Sequence, residues 1–196
     1  MTSLIERAKN IIISPKKEWE VIKTEEVDAK EIFLKYVLPL ALIPAIANFI
    51  GYGLIGKSYI FVGRVASMKA GIIQAIISLV STLGAVYITA LVINALAPGF
   101  GGTKNMNKAM QLVAFSYTAT FVAGVFYILP ALSPIAMLAG LYSLYILYLG
   151  LKPLMNPSDD KVTVYFIISI LVLIVAYFVI GFILGLILVA SVGLSL

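Results

Sequence analysis

The sequence predicts an all-α polytopic membrane protein, with five transmembrane helices preceded by N-terminal amphipathic helices, and three observations carry this prediction. Of the 196 residues, 62% are hydrophobic and only 12% are charged, which is outside the usual composition of soluble globular proteins. Five apolar runs are each long enough to cross a hydrocarbon core of about 30 Å. Short segments rich in Gly, Pro or Lys separate these runs, as expected for helices that turn back across a bilayer. We therefore divide the chain into cytoplasmic interfacial helices over residues 1–33 and a membrane domain over residues 34–196.

The polar N-terminal segment contains two predicted helices. Apolar residues at positions 4, 5, 8, 11 and 12 recur at helical spacing, which predicts a helix lying in the membrane interface. Ser14 followed by Pro15 predicts the start of a second helix, on which Trp19 and Ile22 share one face. We expect Trp19, the only tryptophan, to lie at headgroup depth with its indole N–H toward water. Pro15, Trp19 and Ile22 are the candidate interface for a cytoplasmic protein partner. The alternative is a pair of helices that only cover the bundle.

The first two spans contain features that predict local irregularity and helix contacts. Asp28 and Glu31 form a capping-box pattern ahead of the first span, and Pro39 and Pro44 inside this span predict a kinked helix. The apolar middle of the following loop, residues 59–62, predicts a segment that dips into the interface. Polar residues of the second span are interpreted as hydrogen-bonding contacts between helices rather than as a transport path. They are Gln74, Ser78, Ser81, Thr82, Thr89 and Asn94. The five spans are predicted at about residues 34–56, 70–97, 109–129, 131–151 and 162–190.

The last three spans carry the candidate positions for helix packing or lipid contact. In the third span, Tyr117 lies among several hydroxyl-bearing residues. In the fourth, Tyr142 and Tyr145 belong to a tyrosine stripe, which is typical of packing or of an interfacial aromatic belt, with a lipid-binding groove as the alternative. In the fifth, Gly181 and Gly185 form a GxxxG pattern, which allows a close helix crossing within the bundle or in a homo-oligomer.

Residues 51–58, GYGLIGKS, match the phosphate-binding pattern G-x-x-x-x-G-K-[ST] in full. That loop acts between a buried strand and a helix, in an α/β domain where a separate acidic residue helps to hold magnesium. In this chain the motif follows a proline-containing apolar span, and no alternation of strands and helices surrounds it. We therefore interpret it as the glycine-rich end of a span followed by an interfacial lysine.

The residue inventory favours a non-enzymatic protein. Cysteine and histidine are absent, which removes thiolate nucleophiles, the commonest general base and the commonest metal ligands. No acidic residue occurs between Tyr36 and Leu151, and ion-coupled carriers usually keep an ionisable residue at membrane depth. We therefore expect no catalytic, cofactor-binding or metal-binding residues and no coupled transport. We also expect no nucleic-acid partner, because no soluble basic domain is present to bind one.

The distribution of basic residues predicts the orientation in the membrane. With the N-terminus in the cytoplasm, only Lys57, Arg64 and Lys69 of the 14 Lys/Arg residues lie outside. The reverse orientation inverts this bias, and basic residues accumulate in cytoplasmic segments. The sequence therefore predicts a cytoplasmic N-terminus and an external C-terminus.

Four segments resemble prokaryotic members of the Yip (Ypt/Rab-interacting protein) family. They are SPKKEWEVI at residues 14–22, PLALIPAI at 39–46, AFSYTATF at 114–121 and LYILYLGLKPLMNPSDDKVTVYFII at 144–168. The resemblance implies a five-span protein of the prokaryotic cell membrane, with a cytosolic N-terminus and a tendency to form homo- or hetero-oligomers. Eukaryotic relatives are associated with Rab GTPases and vesicle formation.

Two functional hypotheses follow from the sequence and the resemblance. The first is a membrane scaffold or adaptor in membrane organisation or trafficking-like processes, whose partners are the lipid bilayer and a cytoplasmic protein. The second is a passive, scramblase-like conduit for lipid or a small neutral solute, formed by the hydroxyl-bearing faces of the second, third and fourth spans. A polar groove open to lipid favours the conduit, whereas a closed bundle with ordered N-terminal helices favours the adaptor.

Overall fold

The computed structural model describes residues 3–59, 63–129 and 132–193, and this part of the chain is predominantly helical. Two short helices come first, and five helices that are long and apolar enough to cross a membrane follow them. The predicted fold class is therefore confirmed. The helices are α1, Leu4–Ile13; α2, Pro15–Ile22; α3, Ala29–Ile55; α4, Met68–Phe100; α5, Met106–Ile128; α6, Ser133–Met155; and α7, Val162–Gly193.

Several of these helices contain shorter segments of different hydrogen-bonding geometry. In α3, the α-helical segments Ala29–Ile32 and Leu38–Phe49 alternate with the π-helical segments Phe33–Val37 and Ile50–Ile55. Helix α4 is regular over Met68–Leu96 and ends in the 3₁₀ turn Ala97–Phe100. Helix α5 consists of Met106–Ser116, Thr118–Ala123 and the 3₁₀ segment Gly124–Ile128, and the 3₁₀ turn Asp159–Lys161 leads into α7.

The predicted helix starts are confirmed, but the Ser14 side chain forms no capping hydrogen bond, and Glu31 pairs with Lys35 rather than completing the capping box with Asp28. Pro15 occupies the first turn of α2, and the Ser14 carbonyl accepts a hydrogen bond from the Glu18 N–H at 3.0 Å. The Asp28 carboxylate accepts from the Lys30 N–H at 2.8 Å, so Asp28 caps α3 as predicted. Glu31 forms a salt bridge with Lys35 at 2.8 Å and lies one turn before it on the same face of the helix.

A short hairpin connects α3 to α4. Strand β1, Lys57–Tyr59, pairs antiparallel with β2, Gly63–Val65, and Ser58 lies opposite Arg64. Of residues 59–62, which we predict to dip into the interface, Tyr59 is the last residue of β1, and residues 60–62 lie outside the described residues.

The glycines of the GYGLIGKS motif have structural explanations. A Cβ atom at Gly51 would lie 2.5 Å from the Tyr127 carbonyl oxygen, because α3 and α5 approach closely there. Gly56 has a φ of 85°, a left-handed value that glycine adopts without strain, and it ends the π-helical turn before β1. This arrangement differs from the strand, loop and helix of a phosphate-binding site, in agreement with the interpretation as a span end.

Helix α5 is the central helix of the bundle. In its most apolar window 72% of the residues are buried, compared with 17–39% in the other four spans, so the remaining helices surround it. Pro44 of α3 packs directly on Gly124 of α5, where a Cβ atom would lie 2.6 Å from the Pro44 side chain. The close approach of these two helices depends on the missing side chain at Gly124.

Exposed apolar side chains form a band around the bundle. Most of the largest buried side chains lie at one end of the bundle. On α4 the band runs from Met68, 53% exposed, to Leu91, 42% exposed, which is about 35 Å along the helix. This length matches a hydrocarbon core of about 30 Å. On α6 the band ends at Tyr145, and the helix continues to Met155. The ends of α4 and α6 and the start of α5 therefore extend beyond the apolar band, and α1 and α2 pack there.

Candidate functional site

Trp19 anchors α2 to the end of the bundle. Only 1% of its surface is exposed, and its indole N–H donates a hydrogen bond to the Ile146 carbonyl oxygen at 3.1 Å. Its ring lies 6.4 Å from that of Phe115 on α5. A Cβ atom at Gly150 would lie 2.5 Å from the indole, so the absence of a side chain at Gly150 creates the slot on α6 that holds the ring. Trp19 therefore joins α2, α5 and α6.

This position corrects the expectation that the Trp19 N–H points toward water. A carbonyl group of α6 satisfies the indole N–H inside the protein, so no exposure to water is required. Pro15 and Ile22 are buried on the same face of α2, and Ile22 has no exposed surface. The three residues predicted as a partner interface thus lie against the bundle, where they fix α2 in place, and they are not on the accessible surface.

A buried arginine connects both N-terminal helices to the loop that follows them. Arg7 on α1 is 6% exposed, and its guanidinium donates to the Glu18 carboxylate at 2.5 Å and to the Glu25 carboxylate. The guanidinium carbon also lies 5.5 Å from the centre of the Phe115 ring, in a cation–π contact. Charges at this depth are stable only when they are paired. The sequence does not reveal this cluster. Its charged residues lie in the polar N-terminal segment, whereas buried charges of a membrane protein are expected within the apolar spans.

The first turns of α5 hold the loop between α2 and α3. Lys108 Nζ donates to the carbonyl oxygens of Lys23, at 3.0 Å, and Glu25, at 2.8 Å. Gln111 Nε2 also donates to the Glu25 carbonyl, at 3.0 Å, and Asn107 Oδ1 accepts from the Ala29 N–H at the same distance. The loop therefore has a defined conformation.

Tyrosines on two spans, α3 and α6, complete the packing of this end. Tyr142 on α6 donates to the Ile12 carbonyl oxygen at 2.6 Å, which fixes the end of α1, and the Tyr145 ring lies beside it, tilted by 31° at a ring separation of 5.8 Å. The Tyr36 hydroxyl on α3 lies 2.8 Å from Thr118 Oγ1 on α5. Tyr142, one of the predicted packing or lipid-contact residues, thus contacts the N-terminal helices, whereas Tyr145 is 46% exposed.

The other predicted packing positions lie elsewhere in the spans. The Tyr117 hydroxyl is 3.3 Å from Thr89 Oγ1, which in turn is 3.3 Å from the Tyr177 hydroxyl, so this group connects α4, α5 and α7. Gly181 is exposed, and a Cβ atom there would meet no described atom within 4 Å. The surroundings of Gly185 lie outside the described residues.

A cavity of about 530 Å³ lies between α1, the loop after α2 and the start of α3. Charged residues of both signs line it together with apolar side chains, and Arg7 forms part of its wall. Among the described residues, no group of three metal-ligating side chains could hold an ion. The charged residues of the cavity are Arg7, Glu25, Glu26, Glu31 and Lys35.

The outward faces of α1 and α2 combine basic and apolar residues. Lys9, Lys16 and Lys17 are exposed there. Ile5 and Ile13 on α1 are 78% and 67% exposed, although the opposite face of the same helix is buried. These side chains form the accessible surface of the docked helices.

Five apolar helices, closed at one end by two docked amphipathic helices, define a polytopic integral membrane protein. The family model of the Yip1 domain matches residues 9–183, a range that includes α2 to α6 and most of α7. The chain therefore belongs to the Yip family. No curated protein and no solved structure matches it.

Proposed function

We propose that this protein is a non-enzymatic membrane scaffold or adaptor whose docked N-terminal helices present a fixed surface to a cytoplasmic protein. The observation that carries this proposal is the anchoring of α1 and α2: Trp19 and Arg7 contact α6 and α5, and Tyr142 of α6 binds the end of α1. A surface held in one conformation loses little conformational entropy when a partner binds. The fixed position of α1 and α2 therefore supports an adaptor, the hypothesis that is favoured by a closed bundle with ordered N-terminal helices.

The binding surface is the outward face of α1 and α2. Lys9, Lys16 and Lys17 give it a positive charge, so the partner is an acidic protein surface, while Ile5 and Ile13 provide apolar contact area. The proposed contact surface therefore differs from the one predicted from the sequence. Pro15, Trp19 and Ile22 are buried, and they hold α2 against the bundle.

The surface is tested by reversing its charge. We expect wild-type protein, purified in mild detergent, to retain a protein partner that the double variant Lys16→Glu/Lys17→Glu loses, since like charges oppose binding. The matched control is Lys104→Glu/Lys161→Glu, which changes the same amount of charge at two other exposed positions. Partners are identified by mass spectrometry after native pull-down. Equal losses in both double variants would show a dependence on net charge alone and would overturn the assigned surface.

The proposed orientation places the docked helices in the cytoplasm of a prokaryotic cell. Eleven of the 14 Lys/Arg residues then lie on the cytoplasmic side, in agreement with the positive-inside rule. We expect a reporter fused after Leu196 to be external and one fused before Met1 to be cytoplasmic, as measured by alkaline phosphatase and fluorescent-protein fusions. An active fluorescent reporter at the C-terminus would contradict this orientation and would place α1 and α2 outside the cell.

A passive conduit for lipid or a small neutral solute is the second candidate function. The observation that favours it is a polar groove between α3, α4 and α5 at the depth of the apolar band. The groove has a volume of about 300 Å³, and the buried Phe121 forms part of its wall. Buried side chains, among them Phe121, Phe115 and Trp19, lie between the groove and the docked N-terminal helices, so the groove supports a binding site more strongly than a path across the membrane.

A further inference from the structure

We infer that the groove between α3, α4 and α5 binds the uncharged hydroxyl and ester groups of a neutral lipid. This inference is independent of the scaffold proposal, which concerns the outward face of α1 and α2. The hydrogen-bonding residues of the groove come from all three helices. Those that carry the argument are Asn48, Gln74, Ser78, Ser81, Thr82 and Tyr127.

The groove lies beside the hydrocarbon region of the membrane. Gln74 is about 9 Å along α4 from Met68, where the exposed apolar band begins. Ile77 and Val80, on the same stretch of helix, are 51% and 63% exposed. A lipid can therefore reach the groove laterally, with its acyl chains against these apolar side chains.

The polar groups of the groove are only partly satisfied within the chain. Asn48 Nδ2 donates to the Pro44 carbonyl at 2.8 Å and to Ser78 Oγ at 3.2 Å. In the part of the chain that the structure describes, the side chains of Gln74, Ser81, Thr82 and Tyr127 form no hydrogen bond. Polar groups without partners cost free energy at this depth, because the hydrocarbon offers neither donors nor acceptors. A ligand with hydroxyl or ester oxygens would satisfy them.

The lining also determines the charge of the ligand. It consists of amide, hydroxyl and apolar groups without a Lys, Arg, Asp or Glu side chain among the described residues. A phosphate group would lose its hydration here without gaining a cationic partner, so a phospholipid headgroup is disfavoured. The volume of about 300 Å³ corresponds to about ten water molecules, enough for a glycerol group with its ester linkages. The uncharged hydroxyl group comes either from a neutral lipid such as diacylglycerol or from a free polyol, and the exposed Ile77 and Val80 favour the lipid.

Competitive lipid retention tests this inference. The full-length protein in mild detergent is mixed with equimolar dioleoylglycerol and dioleoylphosphatidylglycerol, and the retained lipid is measured by native mass spectrometry. We expect wild type to prefer dioleoylglycerol, and Gln74→Leu/Thr82→Val to lower that preference by about tenfold or more through the loss of hydrogen bonds. The control is Tyr87→Phe, which removes an exposed hydroxyl from the same helix outside the groove.

A second measurement separates binding from structural damage. Without added lipid, Gln74→Leu/Thr82→Val is expected to melt at the wild-type temperature or above, because the replaced groups form no hydrogen bond in the described chain. A lower melting temperature would show that these groups stabilise the bundle and would overturn the inference. Equal retention of both lipids would also overturn it. Displacement of dioleoylglycerol by millimolar free glycerol would reassign the groove to a small polyol.

Discussion

The replacement Trp19→Ala is expected to lower the free energy of unfolding by about 3–5 kcal/mol, the usual cost of removing a buried aromatic side chain. The indole is 1% exposed, and its loss leaves a cavity between α2, α5 and α6 and removes the hydrogen bond to the Ile146 carbonyl. Unfolding is measured by circular dichroism during denaturant titration in mild detergent. Hydrogen exchange of α2 measures its undocking separately.

Three further variants test whether the lost stability comes from the packing of Trp19 in the slot at Gly150 on α6. Val21→Ala, on the exposed side of the same helix, is expected to change stability by no more than about 0.5 kcal/mol. Trp19→Phe keeps an aromatic ring but loses the hydrogen bond. Gly150→Ala is expected to destabilise wild type, since its Cβ would lie 2.5 Å from the indole, and to be tolerated in the Trp19→Ala background. Equal effects of Trp19→Ala and Val21→Ala would contradict the anchoring role.

The replacement Arg7→Met is expected to cost about 3–5 kcal/mol, because it leaves the carboxylate of Glu18 buried without its guanidinium partner. The Arg7 and Glu18 side chains are only 7% and 8% exposed. The matched control is Lys23→Met, which breaks the exposed pair between Lys23 and Glu20, with an expected cost of about 0–1 kcal/mol. Both variants are measured by the same denaturant titration.

The double variant Arg7→Met/Glu18→Met tests the cause of this cost. Replacing both partners by apolar side chains removes the unpaired charge, so most of the lost stability should return. If Arg7→Met and Arg7→Met/Glu18→Met are equally unstable, the loss is due to packing of the Arg7 side chain against Phe115 rather than to the charge. An effect of Arg7→Met no larger than that of Lys23→Met would show that the cluster does not hold the N-terminal helices.

These variants also clarify what a partner assay can show. Trp19→Ala removes an anchor of α2, so a partner lost in this variant indicates only that the helices must be docked. Lys16→Glu/Lys17→Glu changes exposed side chains and leaves the anchor in place. A partner lost in both therefore binds the outward face of docked helices. A partner lost in Trp19→Ala alone binds another part of this end of the bundle.

The sequence predicts the role of the polar residues in the second span only as a group. The sequence supports one interpretation for the whole set, hydrogen bonding between helices. The structure agrees for Thr89, which lies beside Tyr117 and Tyr177, and for Ser78, which meets Asn48. It places Gln74, Ser81 and Thr82 at the groove instead. In a span that is apolar on nearly every side, spacing along the helix does not reveal which polar residue faces a neighbour and which faces a gap.

The sequence by itself determined the five spans and the two amphipathic helices, together with the Asp28 cap at the start of α3. These features follow from rules that act within one segment, because a bilayer requires a long apolar helix for each crossing. Tertiary structure alone decided what the N-terminal helices pack against. The apolar face of α2 is suited equally to a lipid interface and to a protein slot, and the choice depends on Gly150 and Ile146, more than 120 residues further along the chain. The pairing of Arg7 with Glu18 also follows from this docking. Packing against α5 buries the side chains, and a buried charge needs a partner of opposite charge.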